Sequence, residues 1–359
     1  MSFLFVFGFW AIISSVCAQT WTACDPLNTT TCQPDPALGT TASWNFSTNS
    51  LLDNTIWNIT NGAIDYTDQA AQFTIHNKLD SPTVQSTFYI FFGTVETHVQ
   101  AAPGQGVVSS VVLQSDDLDE IDWEWIGSQG TVQSNYYSKG NITYGRAQFH
   151  QVAGANKGFH NYTTHWTPEK LEWWIDGALA RTVAYADADN GSSYPQTPMT
   201  VRLGIWPGGD PSEPQGTREW AGGEINYSDA PFNMYVSQVR VHDFHTGKEY
   251  TYGDRSGTWQ SINVVTGNST VATHMNDKSQ TIGEKWAALP QSAKAGVYAG
   301  AAGALGLLLV IMVFCCIKQR RDGRKEQSIH EAKLHQERTE MMHMQAEWRK
   351  RGYTQFDKA

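Results

Sequence analysis

Glu120-Ile121-Asp122-Trp123-Glu124 alternates three carboxylates with two large apolar side chains. At the period of two of a β-strand, the acids point to one face and Ile121 and Trp123 to the other. Such a strand buries its apolar face in a core and lines a groove with acids. A solvated acidic edge strand is the competing reading, but an edge rarely interleaves its acids with Ile and Trp. Asp116, Asp117 and Asp119 precede the segment and make the region still more acidic.

Three acids in one groove repel one another, which holds at least one proton above its ordinary pKa. That is the state a general acid needs beside an ionised nucleophile. Four strand steps separate the Cα atoms of Glu120 and Glu124 by about 13 Å. Glu side chains leaning together bring the carboxyl groups to about 5–6 Å, close to the spacing of retaining glycoside hydrolysis. From residue 40 to 250 the chain reads as short β-rich runs such as GVVSSVVLQS and YVSQVRVHDF, broken by Gly, Asn, Asp and Pro. Many short strands with frequent turns imply an all-β sandwich.

The segment DEIDWEW resembles the Glu-x-Asp-x-Glu signature of glycoside hydrolase family 16, a β-jelly-roll family. Phe159–Gly177 is similar to the strand–turn–strand that follows the catalytic strand there. GIWPGGD (204–210) with GTREWAGG (216–223) resembles the fungal Crh subgroup of cell-wall transglycosylases, which join chitin to β-glucan. The resemblance covers about residues 20–250. It implies Glu120 as nucleophile, Asp122 as assisting acid and Glu124 as acid/base. It further implies transfer from a chitin donor to a β-glucan or chitin acceptor. An endo-hydrolase of chitin or β-1,3-glucan, and a non-catalytic wall lectin or sensor, are the alternatives.

Sugar rings pack on aromatic planes, so glycan grooves combine Trp and Tyr with a few polar anchors. Arg202, Gly204 and Trp206 share one face at period two, opposite Val201, Leu203 and Ile205. This predicts a sugar platform, with Gly204 letting a glycan approach the backbone. Trp206 enters the turn-rich Pro207–Asp210, expected to fold over a ligand. Asp210, Thr217 and Trp220 join the candidate binding set, with Tyr136, Tyr137 and Lys139 at the far end of the catalytic strand. No His/Cys spacing suggests a transition-metal site and no cofactor is implied, which leaves a calcium ion open.

The chain ends predict a secreted, anchored protein. Residues 2–16 are apolar and lead to Val16-Cys17-Ala18, a signal-peptide pattern that starts the mature chain at Gln19. The expected layout is a signal peptide at 1–18, a catalytic domain at 19–254 and a polar stalk at 255–294. A transmembrane helix at 295–317 and a cytoplasmic tail at 318–359 follow. Ala295–Ile317 is 23 residues without a charge, and Lys318, Arg320, Arg321, Arg324 and Lys325 follow it. That arrangement orients a single-pass span with its C-terminus in the cytoplasm and the catalytic domain on the wall side. A lipid anchor, common in the Crh subgroup, is the alternative. Within the tail, a helix over about 326–349 is expected.

Charge follows the same division. Residues 318–359 carry 11 Lys/Arg against 7 Asp/Glu, or +4, and the rest carries 14 against 28, or −14. An acidic ectodomain disfavours nucleic acid and polyanionic substrates and suits neutral glycans. Cys24 and Cys32 are expected to pair in an oxidising compartment. Eight Asn-x-Ser/Thr sequons begin at Asn28, Asn45, Asn58, Asn141, Asn161, Asn190, Asn226 and Asn268.

Overall fold

The computed structural model describes residues 21–141, 143, 145–276 and 289–350. The side chains of residues 276, 297, 299, 301, 302, 304, 305 and 307–310 are not described. The expected signal peptide and the end of the tail lie outside the described residues. Two compact units divide the chain after Lys278.

The first unit is a β-sandwich of jelly-roll type. One sheet runs in the spatial order β11 (Gln148–Gln151), β10 (Thr131–Tyr137), β9 (Glu120–Ile126), β8 (Val108–Ser115), β15 (Met199–Trp206), β6 (Thr83–Ser86) and β3 (Trp57–Asn61). The second runs β14 (Ala178–Ala184), β13 (Lys170–Ile175), β12 (His160–Trp166), β7 (Gly93–Gln100), β16 (Phe232–Asp243), β5 (Ala71–Ile75) and β4 (Asp65–Tyr66), with β2 (Thr41–Asn45) also on β16. A small third sheet joins β1 (Asp35–Pro36), β17 (Glu249–Tyr252) and β18 (Ile262–Val265). Cys24 and Cys32 are disulfide-bonded.

The core lies between the two large sheets, and the alternation of β9 builds its centre. Ile121, Trp123 and Trp125 are buried there. Trp125 meets Tyr162 of β12 edge-on at 4.6 Å between ring centroids. Such a pair contributes about 0.5–1.5 kcal/mol beyond the area it buries. Trp123 Nε1 donates to Thr164 Oγ1 at 3.1 Å, and Trp173 Nε1 of β13 donates to the Asp122 carbonyl at 3.2 Å. Satisfying these buried N–H groups bonds the second sheet to the middle of β9 and fixes the acid strand from behind.

The polar segment expected to be a stalk from residue 255 is partly folded. β18 pairs with β17, and helix α2 spans Thr270–Asn276. Ile262 and Val271 bury themselves in the main core, so the apolar residues of this stretch carry it beyond its polar composition. Residues 277–288 of the expected stalk lie outside the described residues. Helix α1 covers Gln215–Trp220. In the second unit, helix α3 runs from Gln291 to Lys350 and contains both the apolar run and the expected tail helix. Among the described residues, no helix is long and apolar enough to cross a membrane.

Candidate active site

Strand pairing brings the candidate acids into rows. In antiparallel pairs, directly opposed residues share a face. One row is Gln85–Arg202–Val112–Asp122–Asn135, and the next is Thr83–Gly204–Ser110–Glu124–Gln133. Gln114, Glu120 and Tyr137 form a third. Glu120, Asp122 and Glu124 therefore stand on the outer face of the first sheet, flanked by polar side chains from both neighbouring strands. Glu120 and Asp122 are 8% and 2% exposed, whereas Glu124 is half-buried and reaches furthest toward solvent.

Burial raises the pKa of all three acids. Glu120 is pushed up to about 7, and a hydrogen bond from Asp122, the Arg202 charge and the Gln114 amide oppose a further rise. Gln114 Nε2 donates to Glu120 Oε2 at 3.3 Å. Glu124 is pushed up to about 8, first by burial and then by Glu120, against the Trp206 indole N–H. Asp122 goes well above the carboxylate range through burial and through both glutamates, and its hydrogen bond with Glu120 favours its protonated form. All three carboxyls are thus held above the ordinary range, and the hydrogen bond between Asp122 and Glu120 favours an ionised Glu120 and a protonated Asp122.

The other candidates divide. Arg202 sits on the acid face, 9% exposed, where it faces the charges of Glu120 and Asp116. Trp206 packs with Val108, Ala221 and Trp220 in a small cluster apart from the main core, its ring stacked on Trp220 at 5.9 Å. Thr217 lies half-buried on α1 in the same region.

Four expectations are corrected. Tyr136 faces the core, opposite Ile121, and packs near Trp173, because the register gives Tyr137 the groove-facing parity. The space above Gly204 is filled, since an added Cβ would stand 2.9 Å from Thr83 Oγ1 on β6. Asp210 is fully buried and accepts from Ser212 N at 2.8 Å, Ser212 Oγ at 2.6 Å and Tyr227 OH at 2.7 Å, so it staples its own loop. That loop is not free to close. Gly209 N donates to Gly106 O at 2.8 Å and Ile225 N to Gly209 O at 3.0 Å, in a backbone approach only glycines allow. Lys139 stands at the turn beyond β10, its backbone N–H donating to Asp119 Oδ1 at 3.0 Å.

Sequence reasoning missed Gln114, Gln133 and Asn135 and gave Tyr137 no preference over Tyr136. Asn135 Nδ2 donates to Tyr137 OH at 2.7 Å, and this pair flanks Asp122 and Glu120. The spacing Gln133-x-Asn135-x-Tyr137 carried the signal, but only the pairing with β9 gives its direction.

A β-sandwich presenting a row of acids with raised pKa values on an outer sheet face is the architecture of a glycosidase. The glycosyl hydrolases family 16 profile matches residues 52–222. The chain is 55% identical to Crh-like protein 3 of Aspergillus fumigatus over 98% of its own length and 99% of that protein. Among solved structures, apo Crh5 transglycosylase superposes with a TM-score of 0.65 at 48% identity, over 67% of this chain and all of that one. Crh5 transglycosylase in complex with NAG superposes equally well, at 47% identity over 67% of this chain and 99% of that one. The chain belongs to the Crh-like proteins of glycosyl hydrolases family 16, and is an enzyme of that family.

Proposed function

We propose that this protein is a retaining cell-wall transglycosylase that cleaves a chitin donor and passes it to a β-glucan or chitin acceptor. The carrying observation is the Glu120–Asp122–Glu124 row on one sheet face, its carboxyls raised by burial. Glu120 attacks the anomeric carbon while Glu124 protonates the departing glycosidic oxygen. Asp122 donates to Glu120 and orients it. A glycosyl ester forms on Glu120, and Glu124, now a base, activates the incoming hydroxyl. Arg202, Trp206, Thr217, Trp220, Tyr137 and Lys139 are the residues we assign to holding substrate around that row. The structural relative is a transglycosylase, also solved in complex with NAG, which supports transfer and an N-acetylglucosamine polymer.

The test is incubation with labelled chitin oligomers and a glucan acceptor, followed by mass analysis. Labelled products larger than the donor are expected. Shortened oligomers alone would make the enzyme an endo-hydrolase, and binding without turnover would make it a wall lectin.

We also propose anchorage at the cell surface by a single pass through 295–317, with residues 318–359 in the cytoplasm. The uncharged run and the basic cluster behind it support this reading. An epitope placed after Ala359 should remain on the mature protein and be reached only after permeabilisation. Its loss, with release by a phospholipase, would replace the span by a lipid anchor.

A further inference from the structure

The outer face of the second sheet holds a groove of about 400 Å³ that the catalytic row does not use. Its lining includes Trp174, Thr163, Asn161, Glu96, His165 and Glu172. Period two puts Asn161, Thr163 and His165 of β12 on this face, while Tyr162, Thr164 and Trp166 enter the core. Trp174 of β13 lies directly opposite Thr163, which makes Asn161 its diagonal neighbour. Diagonal neighbours lie about 7–8 Å apart, within reach of a group one bond longer than the Asn side chain.

Asn161-Tyr162-Thr163 is a glycosylation sequon. The other seven sequon asparagines are exposed, and Asn161 alone is half-buried, inside a groove walled by an aromatic ring. Its sequon threonine holds the side chain, as Thr143 Oγ1 holds Asn141 Oδ1 at 3.3 Å at an exposed site. Thr163 Oγ1 donates to Asn161 Oδ1 at 2.8 Å, and the backbone N–H of Asn161 is held by Asp176 Oδ1 at 2.9 Å. Nδ2 makes no hydrogen bond among the described residues. By contrast, Asn28 Nδ2 donates to Asp25 at 2.5 Å and Asn226 Nδ2 to Asp229 at 3.1 Å. Asn268 also borders a cavity, but no aromatic ring lines it.

We propose that Asn161 carries an N-linked glycan whose first N-acetylglucosamine packs on the face of Trp174 and fills this groove. The apolar face of a sugar ring matches the indole plane, and Glu96 and Glu172 offer acceptors to its hydroxyls. In the attachment step, Nδ2 bonds to the anomeric carbon of a lipid-diphosphate-linked glycan. The carbon–oxygen bond to the diphosphate breaks, the diphosphate leaves with the electron pair, and Nδ2 gives up one proton. The inference rests on passage through the secretory pathway, with which the Cys24–Cys32 disulfide agrees, and not on the transfer reaction.

The experiment uses the full chain purified from a secretory eukaryotic host. Mass analysis of the peptide containing Asn161 should show near-complete occupancy. Trp174→Ala and Asn161→Gln should each lower Tm by about 2–4 °C, the shift that one such contact produces in a domain of this size. The double variant should lose no more than the larger single loss, and turnover should stay unchanged in all three. Trimming the wild-type glycan to one N-acetylglucosamine should retain Tm, whereas complete removal should not, which covers the case of a variant that is not secreted. An unmodified Asn161, additive losses, or equal losses on trimming and complete removal would overturn the proposal.

Discussion

Two groups of carboxylates lie within nine residues of one another and live in opposite chemistries. In the turn between β8 and β9, Asp119 is fully buried and accepts from Ser138 Oγ at 2.6 Å, Lys139 N at 3.0 Å, Gln196 N at 2.7 Å and Thr197 Oγ1 at 3.0 Å. Asp117 accepts from Ser115 Oγ and Thr197 Oγ1, each at 2.5 Å. Between them Leu118 adopts a left-handed φ of 63°, which costs a branched side chain on the order of 1–3 kcal/mol and is held by these bonds. On the strand that follows, Glu120 accepts from Gln114 and Asp122, and Asp122 Oδ1 has no protein partner among the described residues. Asp119 is consumed in holding the hairpin, with both oxygens bonded, and Asp117 is held through Oδ1 alone, its Oδ2 having no protein partner among the described residues. The strand acids keep lone pairs and protons available to something outside the protein. Burial raises the pKa in both groups, so a raised pKa alone does not separate structure from chemistry; saturation of both oxygens sets Asp119 apart, and place on the strand face rather than in the turn separates Asp117 from Asp122.

Substitutions on the two sides of this boundary should behave differently, and the largest effect belongs to the nucleophile. Glu120→Gln keeps the shape and removes the attacking charge, so turnover should fall by several orders of magnitude with the fold intact by circular dichroism. Retention of more than a tenth of wild-type activity would remove Glu120 from that role.

Glu124→Gln cannot protonate a sugar oxygen. Activity on natural glycans should be nearly abolished, while the first step on a substrate with an activated leaving group is spared. Equal loss on both substrates would point to a purely electrostatic role.

Asp122 should act through pH. Its hydrogen bond favours ionised Glu120, so Asp122→Ala should raise the Glu120 pKa and move the acid limb of the kcat/KM profile to higher pH. Asp122→Asn retains an N–H donor and should move it less. Identical limbs in both variants and the wild type would show that Asp122 does not tune the nucleophile.

The turn acids should hardly affect turnover. Asp119→Ala leaves the Lys139 and Gln196 backbone N–H groups without their acceptor, each costing about 1–3 kcal/mol when buried, so Tm should fall by at least several degrees while activity per folded molecule stays within a few-fold. A large loss of activity at unchanged Tm would join the turn to the catalytic row.

The last effect is the pH dependence of stability. Burial raises Asp117 to about 8, with Asp119 adding to the rise, and Asp35 and Asp119 are also raised. A carboxyl raised in the folded state binds its proton more tightly there than in the unfolded chain. The contribution is therefore present below the ordinary value of 3.8 and lost as pH rises toward 8. Tm should be higher at pH 5 than at pH 8, and Asp117→Asn should flatten that slope.

The sequence by itself determined which residues share a face. In Glu120–Glu124 and Val201–Trp206 the alternation alone assigns acids and Arg202 outward and Ile121, Trp123, Val201, Leu203 and Ile205 inward, as the structure has them. Side-chain direction in a strand is a local property of the backbone, so a local pattern reports it. Only the tertiary structure decided what stands beside each of these residues. Whether Tyr136 or Tyr137 faces the acids depends on the β9–β10 register, and a slip of one residue exchanges them. Thr83 fills the space above Gly204 from a strand more than a hundred residues earlier in the chain, and Tyr227 claims the carboxylate of Asp210 from a later loop. Ile262 and Val271 likewise draw a polar stretch into the fold. Contacts between distant segments follow from packing the whole chain at once, and no window of sequence contains them.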